Sequence, residues 1–381
     1  MRALLVVAVV ACSGPGFAPE PDLDAPASRA LGLDDVSVLL PLPADPATPV
    51  LLPLSGSDGA LAPTITSAIL ALMNIEPRDG DPYSLDQFQV VAVRFDLCMR
   101  ESTDPCFDTQ DGVVRLVLQP VYANATGVTT HDVALHAFYP IPVAELAGVI
   151  AELRELAVIH DIPTTAPLAV DPAAPAYLER LRALVLRYAR ADKLERMTVI
   201  GQKAGANGVH WLLRGVDVDA TGALTAMTIP GIDDVLESLD PEGGDTVFVD
   251  DPLVDAPAGF ALALDGLSFD AASMGDKLAA LQTVVAIDNP SDHDAFDLQC
   301  TACHVSTFLT THRSMTAGVD PASIAGTYQT SYDVSVSSLA NTDPRVVRAF
   351  GWVGTNPIIS IRVANESARV ATEIQSRFPG P

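Results

Sequence analysis

Runs of β-branched and aromatic residues in the first two thirds of the chain predict an antiparallel β-sheet. The runs are separated by prolines and by short polar turns such as Asp111-Gly112, which end one strand and begin the next. A hairpin is predicted across Asp219-Ala220-Thr221-Gly222. The predicted strands are residues 36–40, 88–98, 113–119, 133–139, 210–218 and 224–229.

Helical periodicity marks two segments that follow the fourth predicted strand. Residues 143–159 and 176–195 each place leucines and other large apolar residues on one stripe. A shorter helix is predicted at residues 62–74. This order of strands, two helices and further strands predicts an α+β domain over residues 36–254.

Length and charge narrow the classes of protein to which the chain can belong. Its 381 residues exceed what one core usually serves, so a helical connection at residues 255–290 and a second domain at residues 291–381 are predicted. A formal net charge of −26 predicts a surface that repels nucleic acid. No nucleophile elbow, phosphate-binding glycine loop or HExxH motif is present, which leaves open whether the protein is an enzyme.

The amino terminus has the pattern of an exported protein. A charged start and an apolar run predict a signal peptide over residues 1–11. The lipobox of bacterial lipoproteins resembles Val9-Val10-Ala11-Cys12, which implies that Cys12 is acylated and anchored in the lipid bilayer. Ser13, directly after this cysteine, resembles the residue found in lipoproteins that are sorted to the outer membrane. The alternative is a secreted protein cut a few residues later. The proline-rich residues 12–35 are predicted to be a disordered tether.

The most specific motif is Cys300-Thr301-Ala302-Cys303-His304, the attachment signature of c-type haem. Each thiol adds to one vinyl group of the porphyrin, and the adjacent imidazole binds the iron from the proximal side. The motif therefore predicts covalent haem c held by Cys300 and Cys303, with His304 as the metal ligand. The alternatives are a disulfide or redox dithiol beside a chance histidine, and a zinc site, which would need two further ligands.

The remaining cysteines form a pair. Cys12 is assigned to lipid and two cysteines to haem, so Cys98 and Cys106 are left to form a disulfide in an oxidising compartment. Two free buried thiols are the alternative.

Residues 291–381 resemble the small single-haem cytochromes c in more than length. Residues 292–299 are predicted to form a short helix that leads into the motif. Asn365 is predicted to cap a terminal helix that contains Ala368, Ala371 and Ile374. The resemblance implies a small, mostly helical haem module. The order of lipobox, acidic β-rich body and late single CxxCH also resembles cytochrome-like lipoproteins of predatory and soil-dwelling Gram-negative bacteria.

The second axial ligand of the iron departs from the small-cytochrome pattern. Those proteins supply a methionine some tens of residues after the histidine, but no methionine follows Met315 here. The candidates are Met315, His312, His293, Met274 or an open site. The other histidines are predicted to be solitary structural residues: His131, His136, His160 and His210.

Three functions are compatible with these patterns. The first is an electron-transfer lipoprotein of the bacterial cell envelope, anchored to the outer membrane, which implies a redox partner protein. The second is a haem enzyme or gas sensor with an open iron site, and the third is a surface scaffold or adhesion lipoprotein with an accessory haem module.

Overall fold

The structure is a computed structural model, and it describes residues 29–53, 85–97, 111–159, 175–205, 208–232, 234–241, 247–249, 258–293, 298–334 and 346–379. Its strands are β1 (Ser37–Leu39), β2 (Phe88–Asp96), β3 (Gly112–Asn124), β4 (Gly127–Thr130), β5 (Ala134–Ile141), β6 (Arg196–Gly205), β7 (Gly208–Val218), β8 (Leu224–Ala226), β9 (Leu236–Pro241), β10 (Val247–Val249), β11 (Phe350–Val353) and β12 (Asn356–Ile359). Its helices are α1 (Leu33–Val36), α2 (Leu146–Ile159), α3 (Pro175–Tyr188), α4 (Ala258–Leu264), α5 (Gly266–Ala271), α6 (Met274–Ile287), α7 (Cys300–Ala317) and α8 (Ile361–Arg377).

One antiparallel sheet organises the described part of the chain. Its strands lie in the order β1-β2-β3-β5-β6-β7-β9-β10, with β4 paired to β3 and β8 paired to β7. Strands β11 and β12 form a separate hairpin. The predicted α+β class with an antiparallel sheet is confirmed.

Alternation along the central strands gives the sheet two different faces, here called face A and face B. On β5, Leu135 and Tyr139 belong to a buried cluster with leucines of α2 and α3, so these residues define face A. Ala134 belongs to a second cluster, which contains Phe350 and Trp352 of β11 and residues of α8. Face B therefore carries the carboxy-terminal elements.

The carboxy-terminal residues share their core with the sheet. Trp211 and Leu213 of β7 pack with Phe308 and Leu309 of α7, in a cluster that also includes α4 and α6. A buried Gln119 on β3 binds both backbone groups of Trp352, donating to its carbonyl and accepting from its amide at 2.8 Å. The described residues beyond 291 thus pack against the sheet through two apolar clusters.

Several boundaries differ from the predictions. The helix predicted at residues 176–195 is too long at its carboxy-terminal end, because α3 ends at Tyr188 and β6 begins at Arg196. The sequence pattern missed β6, whose Gly201-Gln202-Lys203 breaks the apolar run; pairing with β5 and β7 on either side determines it. The predicted strands of the hairpin at residues 210–229 are present as β7 and β8.

Two details of the cytochrome-like prediction differ from the structure at the residues that it describes. Asp292, His293, Leu298 and Gln299 are not helical, and residues 294–297 lie outside the described ranges. The terminal helix begins at Ile361, where the Ser360 hydroxyl accepts from the Val363 amide. Asn365 lies within that helix, and its side chain donates to the Asp288 carbonyl.

Some predictions fall on residues that the structure does not describe. These are the signal peptide, Cys12, most of the tether, the helix at 62–74, and Cys98 and Cys106. Among the helices that are described, none is both long and apolar enough to cross a bilayer.

We predict that Gly351→Ala undocks the β11–β12 hairpin. Gly351 has a φ of +141°, and an added Cβ would collide with the Gln119 side chain that holds Trp352. We expect the free energy of unfolding to fall by about 2 kcal/mol, measured by urea denaturation.

Gly148→Ala is the matched control for this substitution. Gly148 lies inside α2, and an added Cβ would meet nothing within 4 Å. Alanine should raise stability there by up to about 1 kcal/mol. Equal stabilities of the wild type and Gly351→Ala would contradict the docking role of Gln119.

Candidate cofactor site

A cavity of about 780 Å³ lies between face B and the carboxy-terminal elements. The three motif residues Cys300, Cys303 and His304 all line it, together with His136 and Arg115 from the sheet. Its apolar lining includes Val117, Phe138, Leu298, Phe350 and Val363. The volume lies within the range of pockets that enclose a cofactor, about 300–1,000 Å³.

The motif begins α7, and a buried carboxylate on the sheet fixes that beginning. Glu237 of β9 is fully buried and accepts from the Thr301 amide at 3.0 Å and from the Thr301 hydroxyl. A negative charge beside the unpaired amides of a helix amino terminus is stabilising. Glu237 therefore holds the first turn of α7, with its two cysteines, against face B.

The two thiols are both free in the structure and line the same cavity. Three residues apart in a helix, they lie on one side of it. Burial raises the pKa of both thiols, that of Cys303 to about 11. Both are thus protonated at neutral pH, whereas a redox dithiol depends on a lowered thiol pKa.

The imidazole of His304 is oriented by one hydrogen bond. Its Nδ1 lies 2.7 Å from the Val347 carbonyl oxygen, so Nδ1 carries the proton and Nε2 is the ring nitrogen left to bind a ligand. Burial lowers the pKa of His304 to about 4, although the Val347 carbonyl opposes the shift. At neutral pH the ring is therefore the neutral imidazole that metals bind.

A second histidine, His136, faces His304 from the sheet. Its ring centroid lies 6.3 Å from that of His304, and the two ring planes differ by 25°. Its Nε2 is buried and has no hydrogen-bond partner among the described residues. Burial and the neighbouring cationic side chains lower the pKa of His136. The sequence predicted a solitary histidine here, and on this point the prediction is wrong, because His136 lies beside His304.

Several arginines line the cavity, and four of them form ion pairs with the carboxylates of Asp96, Asp217 and Glu366. Two acidic residues also line it, Asp292 and Glu366. Glu366 accepts from Arg94 at 2.8 Å and from Arg362 at 2.7 Å, and these two guanidinium groups hold the pKa of the buried Glu366 well below its usual range. The arginines that line the cavity are Arg94, Arg115, Arg196, Arg362 and Arg369.

The predicted distal ligands lie in different places. Met315 and Met274 are 72% and 52% exposed, and neither lines the cavity. His312 stacks on Phe308 of its own helix, with ring centroids 5.3 Å apart. Of the four candidates, His293 alone lines the cavity.

The sequence contains a weak signal for three cavity residues that were not among the predicted site residues. Arg94, Arg115 and His136 are polar residues in the interior of apolar strands, and all three line the cavity on face B. Polar side chains at such positions mark a place where a buried surface meets something other than an apolar core.

Comparisons with protein-family models, with curated proteins and with solved structures found no match to this chain. Among the described residues, no three or more His, Cys, Asp and Glu side chains form a group that could hold a metal ion.

The lining of the cavity fits haem c. The motif supplies two free thiols and a neutral imidazole to one wall. The buried, unpartnered Nε2 of His136 is a polar atom that an apolar ligand alone would not satisfy. Arg369, whose guanidinium donates to the Pro290 carbonyl, is a cationic group of the lining that would suit a carboxylate such as a haem propionate.

We predict that Glu237→Ala loosens the first turn of α7. The substitution leaves the Thr301 amide and hydroxyl without their acceptor, which should lower the free energy of unfolding by about 2 kcal/mol. It should also speed the alkylation of Cys300 in the native apoprotein.

Glu152→Ala provides a matched control on the surface. Glu152 forms an exposed ion pair with Arg187, so its loss should change stability by no more than about 0.5 kcal/mol. If Glu237→Ala behaves like Glu152→Ala in both measurements, Glu237 does not hold the motif.

Proposed function

We propose that the protein is a c-type cytochrome of the bacterial cell envelope, with one covalently attached haem that serves electron transfer. A single observation supports this most strongly. Cys300, Cys303 and His304 line one cavity of cofactor size together with a second buried histidine. The CxxCH spacing by itself is a sequence motif; the cavity adds a place for the group that the motif attaches.

The two thiols would form the covalent attachment. Each Cys sulfur adds across one vinyl double bond, so that a C–S bond forms at one carbon and the thiol hydrogen goes to the other. The addition has no leaving group and needs no oxidant. It does require both cysteines as thiols, the state in which the structure holds them.

The other residues of the cavity would bind and orient the group. His304, with its proton fixed on Nδ1 by Val347, would present its neutral Nε2 to the iron. Arg369 would be a cationic partner for a carboxylate, and the apolar lining residues would contact the porphyrin. The iron of haem supplies a one-electron redox change, and its potential depends on axial ligation and burial.

Two other functions make different demands on the same residues. A redox dithiol needs one thiol with a lowered pKa, whereas burial raises the pKa of both Cys300 and Cys303. A gas sensor or haem enzyme needs an open coordination position on the iron, and the buried His136 beside His304 would compete for that position.

The proposed attachment predicts a pigment that survives denaturation. Wild-type chain exported with a haem-attachment system should gain the mass of one haem, and it should stay coloured in a denaturing gel. Cys300→Ala/Cys303→Ala should lose the covalent pigment, and each single variant should keep one thioether. A Cys98→Ala/Cys106→Ala control should retain the pigment. A wild type that is colourless after denaturation would contradict the proposed function.

The location in the envelope is proposed from the lipobox resemblance alone. Cys12→Ser should release the protein from the membrane fraction, because acyl chains supply the anchoring energy, at about 0.8 kcal/mol per buried methylene. The measurement is fractionation together with mass analysis of the amino-terminal peptide. A wild type found in the soluble fraction with an unmodified amino terminus would sink the anchor proposal and leave the haem proposal intact.

A further inference from the structure

His136 and His304 reach the cavity from two different secondary-structure elements. His304 lies in the first turns of α7, and His136 lies in the middle of β5 on face B. Its cross-strand neighbours Val117 and Thr198 line the same cavity, so the orientation of His136 follows from the register of the sheet. Both rings therefore sit on rigid elements.

The separation of the two rings suits one metal ion between them. Imidazole nitrogens bind first-row metals at about 2 Å, so two rings on opposite sides of one ion have centroids roughly 6 Å apart. The observed separation is 6.3 Å. Ordinary aromatic pairs also lie about 4.5–7 Å apart, so the distance alone does not distinguish coordination from packing.

Hydrogen bonding at the ring nitrogens favours metal coordination over simple packing of the two histidines. A packed core histidine ordinarily satisfies its ring nitrogens, and leaving a buried polar group without a partner costs about 1–3 kcal/mol. Nε2 of His136 is buried without one among the described residues, whereas His304 has its Nδ1 bound to Val347. A ligand that accepts electron pairs would remove this cost.

The rival residues have weaker claims. His293 lines the cavity, but it lies in the turn after α6 rather than on a helix or strand. Met227 also lines the cavity, but its thioether packs against Gly215 of β7, where an added Cβ would lie 2.9 Å from the sulfur. Met315 and Met274 are exposed on the surface.

We propose that His136 is the distal axial ligand of the haem iron, opposite His304. This inference rests on the proposed function, since it needs haem attached at Cys300 and Cys303. It makes the site six-coordinate with two imidazoles, which gives a lower potential than methionine and histidine together. It also leaves no open position, and so favours electron transfer over gas binding.

Spectroscopy of the full-length protein loaded with haem tests the assignment. The ferric wild type should be low-spin, its near-infrared magnetic circular dichroism should indicate two imidazoles, and the ferrous form should not bind carbon monoxide. His136→Ala should become high-spin and bind carbon monoxide readily, and added imidazole should restore the low-spin spectrum. His293→Ala and Met227→Leu test the rivals, and each should keep the wild-type spectrum.

The outcomes separate this inference from the proposed function. Covalent haem in denatured wild type, with an unchanged spectrum in His136→Ala, overturns the distal assignment alone. Loss of the bis-imidazole signature in His293→Ala assigns that residue instead. Wild type without covalent haem overturns both proposals. If His136→Ala does not fold, the spectra of the wild type and of the two rival variants test the assignment instead. A thioether or high-spin signature in the wild type overturns it.

Discussion

The alternation of side chains on the central sheet is the constraint on which the rest of the structure depends. Because successive residues of β5 point to opposite faces, Leu135 and Tyr139 pack under α2 and α3 while His136 faces the carboxy-terminal elements. A slip of one residue in the register would exchange these roles and bury His136 against leucines. The same alternation places Arg94, Arg115 and Val117 beside the cavity.

Charge inside the cavity is stabilised by pairing rather than by water. Glu366 of α8 bonds to Arg94 of β2 and Arg362 of its own helix, so this buried carboxylate ties the terminal helix to face B. Removing one member of such a group is costly because a buried charge is left without its partner. The pairing keeps an arginine-rich wall in place within a protein whose net charge is −26.

Local patterns predicted much of the fold and one half of the candidate site. The spacing of Cys300, Cys303 and His304 is fixed by the chemistry of attachment, and periodicity indicated most of the central strands and α2. The contact between His136 and His304 was not predictable, because sheet register and the packing of α7 create it. The position of β6 depends on pairing partners in the same way, and Glu237 meets α7 only through the tertiary fold.

The central claim is that one haem lies in this cavity, attached covalently through Cys300 and Cys303, with its iron held between His304 and His136. Anomalous diffraction at the iron absorption edge, from crystals of the exported protein, tests this most directly. The account predicts a single iron peak between the two imidazole rings, with continuous density from the porphyrin edge to both sulfurs. Crystals of the exported protein with no iron peak, or with an iron peak outside this cavity, would contradict it.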